Sequence, residues 1–279
     1  MKGLCKSMAH NALINGTNYS IKGGNSLING TGYKVSGGGV LINGTRQNIA
    51  FGTPLNNLSV GSSVYMNVSG VRTEFLIVHK GIPDSNDQPP RTKYDISCDG
   101  IWLLMKCVYE DKQYGANSGN YANSDMHNYL NTTFISRFDL SIQNIMKQVK
   151  IPYYICDDTG FYQKLLSNGV PTKLFLLDST ELRISNQTTA LGNGGSILEY
   201  FLPASLDGSS ELRVTTYINN TNKASYWTRS PALNQYNEIN AVYWYGAGVS
   251  INYTAYVGIR PACIMPYSTL IDSNMNIIA

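Results

Sequence analysis

Three histidines and five cysteines are the side chains of this sequence best suited to acid–base, nucleophilic or metal chemistry. The histidines, His10, His79 and His127, lie far apart along the chain and in different expected elements. No nucleophile elbow, H-E-x-x-H, P-loop or paired-carboxylate motif accompanies them. The cysteines, Cys5, Cys98, Cys107, Cys156 and Cys263, are odd in number, widely spaced and free of any C-x-x-C. That pattern is neither a disulfide framework nor a zinc site, so buried free thiols are expected. Asp84, Asp87 and the pair Asp157-Asp158 read as solvated loop acids, and His127 as a packing or surface residue. No catalytic residue, metal site or cofactor is assigned, and an enzyme is not expected.

Recognition chemistry is better represented. Tyr outnumbers Phe 20 to 7. A buried core favours Phe, because a buried Tyr hydroxyl needs a partner. The excess points either to surface recognition by rigid amphipathic rings or to a β-rich chain that uses Tyr in its strands. The richest stretch runs from Ala232 to Val257, between Tyr226-Trp227-Thr228-Arg229-Ser230-Pro231 and Gly258-Ile259-Arg260-Pro261-Ala262. It supplies the candidate ligand-binding residues Asn234, Gln235, Tyr236, Asn237, Asn240, Tyr243, Trp244, Tyr245, Asn252, Tyr253 and Tyr256. Trp227, Arg229, Arg260 and Pro261 in the flanking motifs are expected to define the fold instead, since an Arg fork near a Trp can stack and satisfy loop carbonyls.

The elements that must hold these residues begin with a repeat. The string L-I-N-G-T starts at Leu13, Leu27 and Leu41, a period of 14 residues. Tyr19 and Tyr33, then Ile21, Val35 and Ile49, keep the same phase. Asn-Gly between alternating strands favours a type I′ hairpin turn. Each unit is therefore expected to be a two-stranded hairpin too small to bury its own apolar face. Stacking of units or association of chains would complete the burial. Residues 1–55 are assigned to this anchoring and oligomerising segment, and 56–279 to a ligand-binding domain. In the latter, strands are expected at Ser63–Val68, Thr73–His79, Ile101–Val108 and Lys173–Leu177. One short helix should begin after Ser124 as N-cap. A second should run from Leu140 to Val149, where Ile142, Ile145, Met146 and Val149 follow helical spacing, and a helix start is expected at Asp178–Glu181. Two early helices followed by irregular β give an α+β class.

Only 14% of residues are charged and the net charge is +3, with no Lys/Arg cluster to neutralise phosphates, so a nucleic-acid partner is not expected. No apolar run follows Met1-Lys2-Gly3-Leu4-Cys5-Lys6-Ser7, and none approaches a membrane span, so neither a secretory signal nor membrane insertion is expected. The N-x-S/T matches are read as chance matches in an Asn/Thr-rich chain.

From about Val60 to Pro266 the sequence resembles a domain of unknown function of gut bacteria and their phages. The family's C-terminal signature, W-x-R-S-P, a spacer and G-[VI]-R-P-A, stands here at Trp227–Pro231 and Gly258–Ala262. Val60–Val64, Ser124–Asn131, Phe134 and Phe175–Asp178 match upstream landmarks. The resemblance implies a C-type-lectin-like fold, in the branch of the formylglycine-generating enzymes, behind a hairpin repeat similar to segments of phage tail proteins. Domains of this fold also serve as variable proteins of diversity-generating retroelements, which mutate adenine-containing codons. Asn codons reach Tyr, Ser and Thr by adenine changes alone, whereas Gln235, Glu238 and Trp244 are not reached in that way. The calcium-lectin motifs E-P-N, Q-P-D and W-N-D are absent, as are recognisable redox cysteines of the enzyme branch. The expectation is a tail-associated receptor-binding protein of a phage virion, homotrimeric, made in the host cytoplasm. Its partners would be other tail proteins and a host-surface glycan or protein. A formylglycine-generating-type enzyme and a structural decoration protein are the alternatives.

Overall fold

A computed structural model describes residues 10–14, 17–21, 25–28, 31–34, 39–42, 45–48, 50–83, 93–115, 120–156, 163–184, 195–206, 208–232 and 237–278, with the backbone alone for 10–51, 156 and 163–165. The chain divides into two compact units, Met1–Leu58 with Tyr267–Ala279, and Ser59–Pro266. Its content is β-rich with few helices, compatible with an α+β or a mostly-β class. Among the described residues no helix is long and apolar enough to cross a membrane.

The 14-residue period reappears as three antiparallel hairpins. They are β1 (His10–Ile14) with β2 (Thr17–Ile21), β3 (Asn25–Ile28) with β4 (Thr31–Lys34), and β5 (Gly39–Ile42) with β6 (Thr45–Asn48). Their registers are equivalent: Ile14 opposes Thr17, Ile28 opposes Thr31 and Ile42 opposes Thr45. The Asn-Gly turns expected at 15–16, 29–30 and 43–44 lie outside the described residues, as do the paired glycines at 23–24 and 37–38. Strand β7 (Ala50–Pro54) pairs with β1.

In the second unit, β8 (Ser63–Val68), β9 (Val71–Lys80) and β10 (Ile101–Met105) form successive antiparallel neighbours. β10 is buried along its whole length, as expected of the unbroken apolar run Ile101-Trp102-Leu103-Leu104-Met105. The Trp102 indole N–H donates to the carbonyls of Gly81 and Cys98 at 3.0 and 3.1 Å, and the ring packs edge-on against Tyr94 and Phe175. Strand β11 (Asp111–Gln113) leads to α1 (Asp125–Tyr129), where Ser124 Oγ accepts from the His127 N–H as the N-cap. The chain continues through a π-turn at Leu130–Phe134 and a 3-10 turn at Ile135–Arg137 to α2 (Leu140–Ile145).

The helix expected to reach Val149 stops at Ile145. Met146 leaves helical geometry (ψ 128°), and the Lys147 N–H donates to the Ile264 carbonyl instead of continuing the helix. Ile142, Met146 and Val149 are all buried, but Val149 opens a strand, β12 (Val149–Cys156), paired with β13 (Gln163–Thr172). The strand expected at Lys173–Leu177 is reduced to one bridge, Phe175 with Ala262, and Asp178–Glu181 begins a turn rather than a helix.

The C-terminal half of this unit contributes β14 (Tyr226–Pro231), β15 (Glu238–Val242), β16 (Gly248–Asn252), β17 (Tyr256–Gly258) and β18 (Ala262–Met265). β18 completes the first sheet in the order β18-β10-β9-β8, and the others form a second, β11-β17-β14-β15-β16. Beyond it, β19 (Leu270–Ile271) pairs with β7 and with β20 (Ile277–Ile278), which places the last residues in the first unit rather than with residues 59–266. Leu270, Ile271 and Ile277 are buried there. A two-residue apolar strand carries no signal of its partner, so the sequence alone left it with the preceding domain.

Candidate functional site

The two flanking motifs are interior. Trp227, Arg229 and Arg260 are all essentially inaccessible. The Arg229 guanidinium donates to the Glu181 carboxylate through both terminal nitrogens (2.7 and 2.6 Å), to Leu176 O at 2.9 Å and to Pro152 O at 2.9 Å. Burial works against the Arg229 charge, but the Glu181 carboxylate beside it outweighs burial and raises its pKa. Glu181 also accepts from Tyr94 Oη and from the Asp178 N–H, and Ser230 Oγ donates to Asp178. Arg260 donates to Met105 O at 2.8 Å and to Tyr226 Oη at 3.1 Å, over whose ring its charge also sits. Trp227 donates to Lys112 O and meets Tyr114 edge-on. The W-x-R-S-P arginine thus spans β12, the segment after β13 and the turn at 178–183, with its charge and donors satisfied.

Between the motifs, β15 and β16 form a hairpin in register from Glu238↔Asn252 to Val242↔Gly248. Its tip carries Tyr243, Trp244 and Tyr245, exposed by 37%, 46% and 42%. Their rings pack on one another with centroids 5.1–6.1 Å apart, two of the three pairs edge-to-face. The backbone beneath them is fixed. The Tyr243 N–H donates to Ala247 O and the Gly246 N–H to Tyr243 O, both at 2.7 Å. Gly246 has φ +86°, and a Cβ there would meet Ser210 O at 2.3 Å, so both conformation and space demand glycine. The Gly246 carbonyl accepts from Arg213 Nε at 2.7 Å. Arg213 is fully buried and donates also to the carbonyls of Leu182, Arg183, Ser205 and Gly208, pinning the tip to two surrounding segments, 182–183 and 205–208.

The other expected ligand-binding residues are dispersed. Tyr256 is 72% exposed on β17, and the ring contacts of the tip do not include it. Asn252 is half-buried and its Oδ1 accepts from the Thr254 N–H and hydroxyl, a turn-forming role. Asn237 and the half-buried Tyr253 are joined through the backbone, and Tyr253 O accepts from the Tyr114 and Gly115 N–H groups. Asn240 is only 1% exposed: Nδ2 donates to Pro231 O and Oδ1 accepts from Ser250, so it ties strands together and does not face a ligand. Asn234, Gln235 and Tyr236 lie outside the described residues.

Of the candidate chemistry, the Cys98 and Cys263 thiols are buried, and burial pushes both up to about 12. Cys107 differs from the expected burial in being half-exposed, while Cys5 and the Cys156 side chain lie outside the described residues. The acids Asp84, Asp87, Asp157 and Asp158 and the His10 side chain are also outside them. His127 is half-buried against Tyr121. Among the described residues no group of three or more His, Cys, Asp or Glu could hold a metal ion. The anchoring roles of Glu181 and Arg213 escaped the sequence reading, which placed Glu181 only at a helix start. Each has charged neighbours in sequence, Asp178 and Arg183 around Glu181 and Glu211 before Arg213, so neither stands out as a residue buried with a distant partner.

This is a β-rich domain whose buried arginine motifs bracket a hairpin with an aromatic tip. The chain belongs to the family described as Domain of unknown function (DUF6273), whose model matches residues 99–267, more than half of its length and inclusive of both motifs and the hairpin. No curated protein and no solved structure matches it.

Proposed function

We propose that the chain is a non-catalytic receptor-binding protein of a phage particle, attaching through the β15–β16 tip to a host-surface glycan or protein. The observation that carries the binding half is the Tyr243-Trp244-Tyr245 cluster, three adjacent exposed aromatics on a backbone immobilised by Arg213 and Gly246. Exposed apolar side chains gathered on a rigid turn favour contact at low entropic cost. The virion assignment, the C-type-lectin-like fold and diversification of the Asn/Tyr-rich spacer rest on the resemblance of the two motifs and the hairpin repeat. In this reading the repeated hairpins, each too small to bury its own apolar face, complete their burial by stacking or chain association, and the trimeric state rests on the resemblance to phage tail proteins. Burial pushes the Cys98 and Cys263 thiols up to about 12, which makes these two poor candidates for a thiolate nucleophile of the formylglycine-generating type, because a thiol at about 12 is protonated at neutral pH. Fluorescently labelled full-length protein should bind intact cells of a subset of gut bacteria, or their extracted surface polysaccharides, saturably. Uniform absence of binding across such a panel would favour a decoration protein with no receptor.

A further inference from the structure

A cavity of about 290 Å³ opens in the second unit between the β9–β10 sheet and the segment Glu211–Lys223. It is distinct from the aromatic tip, although Glu211 on its wall directly follows Ser210, against which Gly246 of the tip rests. Its volume is at the small end of ligand sites, the size of one sugar ring and not of an oligosaccharide. The wall combines three kinds of chemistry. Leu76 and Val214 offer an apolar surface for ring C–H groups. Tyr200 and Thr221 bring hydroxyls, whereas the Thr215 hydroxyl is already donated to Lys106 O and the Thr216 hydroxyl lies 3.8 Å from Cys107 Sγ. Three cations, Lys106, Lys223 and Arg260, face one acid, Glu211.

The cations are unequally neutralised. Lys106 pairs with Glu74 at 2.9 Å. Arg260 is buried on a carbonyl and a phenol, and among the described residues no carboxylate pairs with it. Lys223 is exposed and makes no ion pair among the described residues. A carboxylate held beside a hydroxyl-bearing, partly apolar ring would complete this set, since charge-assisted hydrogen bonds from Lys and Arg are the strong ones. A bare phosphate would be drawn to the same cations but would leave the apolar wall of Leu76 and Val214 uncovered, which a sugar ring covers. We propose that the cavity binds a monosaccharide carrying a carboxylate, of the uronic-acid or sialic-acid class, and that Lys223 and Arg260 hold the acid group. The site stands independently of the role given to the tip.

Cys107 on the cavity wall provides a reporter, half-exposed while Cys98 and Cys263 are buried. Full-length protein would be titrated with D-glucuronate, N-acetylneuraminate, D-glucose and acetate. Binding would be read by calorimetry and by the rate of iodoacetamide alkylation of Cys107 in the mass spectrum of its peptide. Glucuronate or N-acetylneuraminate should bind and slow Cys107 alkylation, with glucose and acetate weaker by about ten-fold or more, the loss expected for one charge-assisted contact or for the ring contacts. Lys223→Gln, a surface change, should weaken the sugar acid about ten-fold, and Thr221→Trp at the exposed rim should block it. Trp244→Ala should bind it as the parent does, so failure of the tip reading leaves this one standing. Equal binding of glucose or of acetate, unprotected Cys107, or unchanged affinity in Lys223→Gln would overturn the proposal.

Discussion

Arg229 and Glu181 illustrate what a residue in this sequence commits to. A fully buried ion pair is sustained only while both partners remain, and removing one leaves an uncompensated charge at a cost of about 3–5 kcal/mol. Arg229→Ala and Glu181→Ala should therefore each lower the denaturation midpoint sharply in urea melts, and the double variant should cost less than the sum of the two. Additive losses would mean that the pair is not the linchpin of the motif. His79 makes a second residue-scale prediction. Burial lowers its pKa below the ordinary 6.5, against opposing contributions from Glu199 and the Ile82 backbone. Its Nδ1 accepts from the Glu199 N–H, and Nε2 is buried with no hydrogen-bond partner among the described residues. The unfolded chain thus takes up the proton more readily than the folded one, so His79 contributes stability that is present above pH 6.5 and lost as pH falls through the folded pKa. The melting temperature should drop between pH 7 and pH 5, less steeply in His79→Asn. An identical pH profile for the variant would remove His79 as the cause. At this scale the sequence was partly legible. Trp227, Arg229 and Arg260 announced themselves as interior by their motif, whereas Asn240 did not, since an Asn that braces strands looks in sequence like an Asn that binds a ligand.

Elements were legible where periodicity was long and hidden where tertiary contacts decided. The hairpins follow from a 14-residue period, and β8, β9 and β10 from runs of β-forming residues. The helix beginning at Leu140 ends early because β18 captures the Lys147 N–H, a competitor more than a hundred residues away that no local pattern reveals. The β15–β16 hairpin carries the element-scale prediction. Gly246→Ala places a methyl against Ser210 O in a left-handed backbone, a strain of about 1–3 kcal/mol. The tip should loosen while the buried sheet core survives. Hydrogen exchange should rise at Tyr243, Gly246 and Ala247 and stay unchanged in β10; protection lost uniformly instead would make the hairpin part of the folding core.

On the scale of the whole molecule, two compact units share one chain, and the first is completed by the C-terminal strands β19 and β20. That completion was illegible in sequence, because Leu270-Ile271 and Ile277-Ile278 are short apolar pairs with many conceivable neighbours. It alters how association should be tested. Removing residues 1–58 together with 267–279 should leave Ser59–Pro266 as a folded monomer, whereas the full chain should sediment as a trimer through its hairpin repeat. A monomeric full chain in analytical ultracentrifugation would leave the repeat without its assembling role. The central claim, attachment through the aromatic tip, is tested most directly by alanine replacement there. Surface-bound protein on cells or polysaccharide that bind the parent chain would be quantified for Tyr243→Ala, Trp244→Ala and Tyr245→Ala, with circular dichroism run alongside. The account predicts unchanged spectra and melting, with binding weakened by about 2 kcal/mol or more for at least Trp244→Ala, as for the loss of a central anchor. Parental binding by all three folded variants would contradict it.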